Sequence, residues 1–215
     1  MKVDRASMLL YAVTDRTWLK GRSFIDVIEE ALKAGVTFLQ LREKNLDYSS
    51  FLTLAREIKK VVDKYKIPYV INDNVDIALA CGADGVHVGQ KDMDAKDVRK
   101  IIGPDKILGV SAQTVEQAVA AERNGADYIG VGSVFPTSTK PDAETVSFET
   151  LREICKSVSI PVVAIGGINK DNAMKLAGSG IDGIAVVSAI FAQDDIAASV
   201  RELRQVASRV VNQKS

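Results

Sequence analysis

The sequence is poor in the residues that most often carry metal or covalent chemistry. It has one histidine, His87, and two cysteines, Cys81 and Cys155, in 215 residues. A single histidine excludes His-pair metal sites, and no Ser-His-Asp arrangement is suggested. The cysteines lack Cys-x-x-Cys spacing and an obvious general base, so they read as reduced thiols of a cytoplasmic protein. Charge of one sign is also missing: 28 basic residues balance 28 acidic ones. No global field draws the chain to nucleic acid or an anionic membrane, and any anionic ligand must be held by local charge. No apolar stretch approaches the roughly 18 residues needed to span a bilayer. Lys2 and Arg5 are followed by only Met8 to Val13, too short for a signal-peptide core and better read as a first strand. The Gly-x-Gly-x-x-Gly turn of an open dinucleotide-binding sheet is absent after that strand, where Thr14-Asp15-Arg16-Thr17 stands.

What the sequence does have is a series of short apolar runs, each ending in groups that chemistry can use. Leu9 to Val13 ends in Thr14-Asp15, and Phe38-Leu39 leads into Gln40-Leu41-Arg42-Glu43-Lys44. Tyr69 to Ile71 ends in Asn72-Asp73, and Val86-His87-Val88 in Gly89-Gln90-Lys91-Asp92. Ile107 to Val110 ends in Ser111, and Tyr128 to Phe135 in Pro136-Thr137-Ser138-Thr139-Lys140. Val162 to Ile165 ends in Gly166-Gly167, and Ile184 to Val187 in Ser188. The junctions before the runs alternate Gly35, Pro68, Gly82, Pro104, Gly125, Pro161, Gly180, residues that end or cannot continue a helix. Gly82-Ala83-Asp84, Gly125-Ala126-Asp127 and Gly180-Ile181-Asp182 hint at a repeated two-strand unit. The intervening segments read as helices. Phe24, Val27, Ile28, Ala31 and Gly35 share one face after an N-cap at Ser23, and the segments around 51–65 and 196–210 follow the same period. Nearly all-apolar short strands suit a buried parallel sheet. Eight right-handed crossovers close it into a barrel with its active site at the C-terminal rim. The expected fold is therefore α/β, a single (β/α)8 TIM barrel spanning 1–215. Its longest structureless stretch is about 135–147.

On that rim several constellations stand out. Asp73 and Asp92 end neighbouring strands, and two carboxylates there invite a hard cation such as Mg²⁺ shared with a substrate phosphate; helix N-capping is the alternative. Gln40, Arg42 and Lys44 alternate, which puts an amide and two cations on one side of the chain to face a polyanion. A solvated strand end with salt bridges to Glu43 is the alternative. Gly166-Gly167 and Val187-Ser188 follow the last two strands, where many such barrels hold a phosphate with backbone N–H groups; a tight turn is the alternative. Ser111, Thr137, Thr139 and Lys140 add hydroxyls and a cation. His87, in the middle of an apolar strand, reads as a packed, hydrogen-bonded core residue. Together these residues describe two phosphorylated ligands side by side, one of them a diphosphate.

In their order along the chain these strings resemble the thiamine phosphate synthase family, also called thiamine-phosphate pyrophosphorylase. The carriers are Leu10-Tyr11-Ala12-Val13-Thr14-Asp15, Gln40 to Lys44, Ile71-Asn72-Asp73, Gly85 to Asp92, Leu108-Gly109-Val110-Ser111, Pro136 to Lys140, Ile165-Gly166-Gly167-Ile168 and Val187-Ser188-Ala189-Ile190. The resemblance implies a transferase of thiamine biosynthesis. Such an enzyme joins a hydroxymethylpyrimidine diphosphate to a thiazole phosphate and releases diphosphate. It implies pyrimidine-diphosphate contacts from Gln40, Leu41, Arg42, Glu43, Lys44, Asn72, Ser111 and Lys140. Arg42, Lys44, Ser111 and Lys140 stand nearest the chemistry. It implies thiazole-phosphate contacts from Thr137, Ser138, Thr139, Gly167, Val187 and Ser188. One Mg²⁺ ion, bound with the diphosphate, is implied on Asp73 and Asp92. Lys91 stands where the family more often has Glu. The expected partners are small-molecule substrates, not nucleic acid or membrane. A paralogue that isomerises the thiazole phosphate would need a general base and no diphosphate site. A metal-dependent sugar-phosphate epimerase would want several histidines, and a non-catalytic phosphate-binding regulator would have little use for the carboxylate pair.

Overall fold

A computed structural model describes residues 3–137 and 145–213. Eight parallel strands follow one another around a closed barrel in chain order, each bonded to the next and the eighth to the first. They are β1 (Leu10–Val13), β2 (Phe38–Leu41), β3 (Tyr69–Asn72), β4 (Gly85–Val88), β5 (Ile107–Ala112), β6 (Tyr128–Val131), β7 (Val162–Ile165) and β8 (Gly183–Val186). Outside them lie α1 (Phe24–Ala34), α2 (Tyr48–Tyr65), α3 (Val75–Ala80), α4 (Ala95–Ile102), α5 (Val115–Arg123), α6 (Phe148–Ser157), the short α7 (Ser188–Phe191) and α8 (Ile196–Asn212). Ser23 caps α1 by accepting from the Asp26 N–H. None of the described helices is long and apolar enough to cross a membrane.

Two boundaries differ from the sequence reading. The run from Tyr128 leaves the strand at Val131, not Phe135. The segment between β7 and β8 forms only a 3-10 turn, Ala173–Leu176, instead of an α-helix. Gly178 and Gly180, both at positive φ, end it before a second turn can form.

The repeated Gly-x-Asp junctions share one structural device. Asp84 N–H donates to the Tyr69 carbonyl (2.8 Å), and the Tyr69 N–H returns to the Asp84 carboxylate (2.9 Å). Asp127 does the same with Leu108 (2.7 and 2.8 Å), and Asp182 with Val162 (2.8 and 3.0 Å). Gly35-Val36-Thr37 supplies the fourth case: Thr37 N–H donates to the Leu10 carbonyl (2.9 Å), and the Leu10 N–H to Thr37 Oγ1 (2.9 Å). Each even strand is thus stapled to the start of the odd strand before it, and the barrel consists of four two-strand units. Arg99 backs the Asp127 staple: it donates to that carboxylate (2.6 Å) and to the Gly103, Lys106 and Gly125 carbonyls. Asp127→Ala is expected to cost about 2 kcal/mol, because the buried Leu108 N–H and the Arg99 guanidinium both lose an acceptor. Urea unfolding measures it, with activity per folded molecule unchanged.

Two cores result. The larger lies between strands and helices. The smaller fills the barrel with Met8, Tyr11, Val13, Phe38, Val70, Ile107, Tyr128, Val163 and Ala185. Above it the interior turns polar, and there the rim begins.

Candidate active site

The rim is built where each strand runs out. On β2, Gln40 points into the barrel and is buried, with its Nε2 donating to the Tyr11 hydroxyl at 2.5 Å. The strand ends at Leu41, so Arg42 and Lys44 lie past the alternation that turns Gln40 inward. Arg42 is held by its N–H donating to Thr14 Oγ1 (3.0 Å), and its guanidinium lies 3.9 Å from Asp15 after β1. Lys44 reaches the other way and donates to Asp73 after β3 (3.0 Å). The two cations therefore bracket β2. Glu43 pairs with Arg16 at 2.6 Å, not with either of them, so the salt-bridged strand end does not account for Arg42 and Lys44. The Leu41 side chain is fully buried in the outer core, leaving only its main chain for a ligand at the rim.

Asp73 and Asp92 do not cap the helices that follow them. Asn74 caps α3 and Asp94 caps α4. Asp73 sits at φ 61°, and the Asn74 N–H closes back on the Asn72 carbonyl at 2.8 Å. An aspartate in the left-handed region, inside so tight a turn, is backbone strain of the kind that collects at functional sites. Its own N–H donates to the His87 carbonyl (2.8 Å), which ties the turn to β4. Asp92 folds back to accept from the Gly89 N–H at 2.7 Å. There its carboxyl loses solvent, which raises its pKa; the Gly89 N–H works against that, and the neighbouring Asp73 carboxylate raises it further.

Two carboxylates placed against each other, with a lysine alongside, suit a hard divalent cation. Among the described residues no group of three or more His, Cys, Asp or Glu side chains comes together to hold a metal. The pair would therefore need ligand oxygens to complete the coordination of Mg²⁺, as a diphosphate supplies. A metal on Asp92 would compete there with a proton, so if the pair holds Mg²⁺ its apparent affinity should weaken as the pH falls. Calorimetric titration of Mg²⁺ with diphosphate at pH 8 and pH 5.5 checks the direction when wild type is compared with Asp92→Asn, because diphosphate itself takes up protons over that range. An equal fall in the two proteins would contradict it.

A cleft of about 430 Å³ opens beside this half of the rim, lined among others by Glu43, Lys44, Asn72 and Asp73. Ser111, inside β5, bonds His87 Nε2 at 2.9 Å, and its carbonyl accepts from Gln90 (2.7 Å).

Across the barrel, Gly166 and Gly167 both have positive φ. A Cβ on Gly167 would meet the Pro136 carbonyl and lie 2.9 Å from Phe135 Cβ, so glycine here allows the 135–136 segment to approach. Asn172 steadies the turn by donating to the Gly167 carbonyl (2.9 Å). Val187 and Ser188 begin α7, whose start carries no side-chain cap. Thr137, next in the chain after Pro136, is half-buried. Ser138, Thr139 and Lys140 lie outside the described residues.

A family model for thiamine monophosphate synthase matches residues 10–190. The chain belongs to that family. It is 57% identical over 194 residues to the thiamine-phosphate synthase of Clostridium tetani, covering 90% of this chain and 93% of that one. It is 47% identical over 213 residues to the thiamine-phosphate synthase of Caldanaerobacter subterraneus, covering 99% of each. Its fold superimposes on a thiamine phosphate pyrophosphorylase structure from Pyrococcus furiosus with a TM-score of 0.88 and 40% identity, over 96% of this chain and 98% of the other. Membership makes the chain an enzyme of the transferase class.

Sequence reasoning missed several residues that shape the site. Asp15 faces Arg42, Gln90 braces β5, and Tyr11 and Tyr128 lie beneath Gln40 and Ser111. The two tyrosines carried a signal: a phenol in a strand buried on both faces must find a polar partner. Both thiols are pushed up by burial, Cys155 to about 12, in keeping with cysteines that take no part in chemistry.

Proposed function

We propose that the protein joins 4-amino-2-methyl-5-hydroxymethylpyrimidine diphosphate to 4-methyl-5-hydroxyethylthiazole phosphate, giving thiamine phosphate and free diphosphate. The observation that carries this reading is the placement of Lys44 against the Asp73–Asp92 pair, with Arg42 on the other side of β2, opposite the Gly167 and Ser188 loops. A diphosphate needs the first half; a monophosphate fits the second.

Bound Mg²⁺ would supply electrostatic stabilisation of the leaving diphosphate. Arg42 and Lys44 add fixed positive charge where negative charge grows, and Lys140 joins them in this reading. Gln40, Asn72 and Ser111 orient the aminopyrimidine ring, whose electron-rich system supports the carbocation left behind. The main-chain N–H groups near Gly167 and Ser188, with Thr137, Ser138 and Thr139, hold the thiazole phosphate so that the ring nitrogen faces that carbon. No protein nucleophile is required.

The test is a direct assay. The protein with both substrates and Mg²⁺ should form thiamine phosphate and diphosphate in equal amounts, and chelation should stop the reaction. Turnover of the thiazole phosphate alone, or binding of both ligands without product, would refute the reading. A smaller effect separates the two halves: Thr137→Ala should raise KM for the thiazole phosphate about tenfold while leaving that for the diphosphate unchanged, as loss of one charge-assisted hydrogen bond implies.

A further inference from the structure

Beneath the rim a chain of hydrogen bonds crosses the barrel interior. Gln40 Nε2 donates to the Tyr11 hydroxyl (2.5 Å), which contacts the Tyr128 hydroxyl (2.7 Å). The Tyr128 hydroxyl contacts His87 Nδ1 (2.9 Å), and His87 Nε2 contacts Ser111 Oγ (2.9 Å). Gln40, Tyr11, Tyr128 and His87 are all buried. Burial holds both phenols above their ordinary pKa, so each keeps its single proton. The rings pack as well, with Tyr128 5.8 Å from Tyr11 and 5.5 Å from Phe38 and from His87, centroid to centroid. Space for the chain comes from Gly109 on β5, where a Cβ would fall on the Tyr128 hydroxyl.

Each phenol has one proton to give, and so has a neutral imidazole. Four bonds among five groups leave no buried donor unpaired only if every proton points the same way along the chain. With the Gln40 amide donating, Tyr11 donates to Tyr128, Tyr128 to Nδ1 of His87, and His87 Nε2–H to Ser111. A mixed sense strands a phenolic proton in the interior, which costs about 1–3 kcal/mol. Reversing one end therefore reverses the other.

We infer that Tyr11, Tyr128 and His87 are positioning residues whose directional hydrogen-bond chain fixes the polarity of two groups at the rim: Gln40 is left to present its amide oxygen to a ligand, and Ser111 its hydroxyl proton. The two are matched to one ligand, which offers a donor to Gln40 and an acceptor to Ser111. An aminopyrimidine bearing a phosphate ester has both. The chain deepens the proposed function, and its consequence for substrate affinity rests on that reading; its direction rests on the Gln40 amide donating to Tyr11 and on the count of protons.

His87 is the only histidine in the sequence. Protein labelled with ¹⁵N-histidine therefore reports its tautomer without assignment, and at pH 9 an unperturbed imidazole is neutral. The wild-type protein should show one tautomer, protonated at Nε2; an Nδ1–H tautomer or a mixture overturns the assigned sense. Gln40→Glu, whose carboxylate can only accept at that pH, should force Tyr11 to donate towards position 40 and move the imidazole proton to Nδ1. An unchanged tautomer in that variant overturns the chain. In a Tyr128→Phe background, Gln40→Glu should leave the imidazole signals where Tyr128→Phe alone puts them. A shift there would show that the influence travels by another route, and overturns it too. On the catalytic side, Tyr128→Phe should raise KM for the pyrimidine diphosphate about tenfold while KM for the thiazole phosphate stays put; an unchanged diphosphate KM removes the positioning role. Wild-type protein that turns over neither substrate refutes the proposed function and leaves the tautomer results standing.

Discussion

Asp73→Asn is expected to lower kcat for the condensation on the order of 100-fold or more, the scale seen when one preorganised partner of developing charge is removed. The fold should survive. Position 73 holds φ 61°, and asparagine adopts that left-handed conformation readily, so the turn between Asn72 and Asn74 can persist. What changes is charge. The amide is a weaker ligand for a hard cation, and it takes the counter-charge from Lys44, 3.0 Å away. Asp73→Val, by contrast, should lose stability as well, because a β-branched residue is strained there. Comparing kcat with the urea midpoint for both variants separates the two effects. Near-normal turnover by Asp73→Asn would show that the carboxylate is not needed.

A large loss of stability is expected at Gly109. A Cβ there would land on the Tyr128 ring and hydroxyl, and about 2.5 Å from His87 Nδ1. Gly109→Ala must displace one of the two rings, and either displacement breaks the 2.9 Å bond between them. Overpacking costs about 1–3 kcal/mol, and a stranded buried polar group about as much again. A loss of about 3–5 kcal/mol in urea unfolding is the expected result. Gly21, at positive φ but with open space around it, should tolerate alanine with far less loss. If both variants were equally stable, the interior would be looser than these contacts imply.

The barrel was legible in the sequence because its signals are local. Alternating Gly and Pro junctions, short apolar runs and a capped α1 each reflect chemistry within a few residues. The reading failed at the segment after β7, where a helix was expected and Gly178 and Gly180 allow only a 3-10 turn. The rim residues were legible by type and strand-end position, as with Asp73, Asp92 and Ser111. Their directions were not. Arg42 and Lys44 reach towards opposite neighbouring strands because they lie one and three residues past the end of β2 at Leu41, where alternation no longer sets direction. The Tyr11–Tyr128–His87 chain was hidden for a different reason: strands apolar on both faces give no pattern to tell inward from outward. Only barrel closure shows that residues from β1, β4 and β6 meet. Thr37 escaped notice as the fourth staple because a hydroxyl does there what a carboxylate does in the other three.

In the function we propose, the β3 and β4 ends hold a divalent cation together with a diphosphate. Anomalous diffraction from crystals grown with Mn²⁺ and diphosphate tests it most directly. One anomalous peak should appear beside the Asp73 and Asp92 carboxylates, with a diphosphate next to it and the Arg42 and Lys44 side chains on the same anion. A peak elsewhere on the rim, or diphosphate seated at the Gly167 and Ser188 loops with no metal between the aspartates, would contradict it.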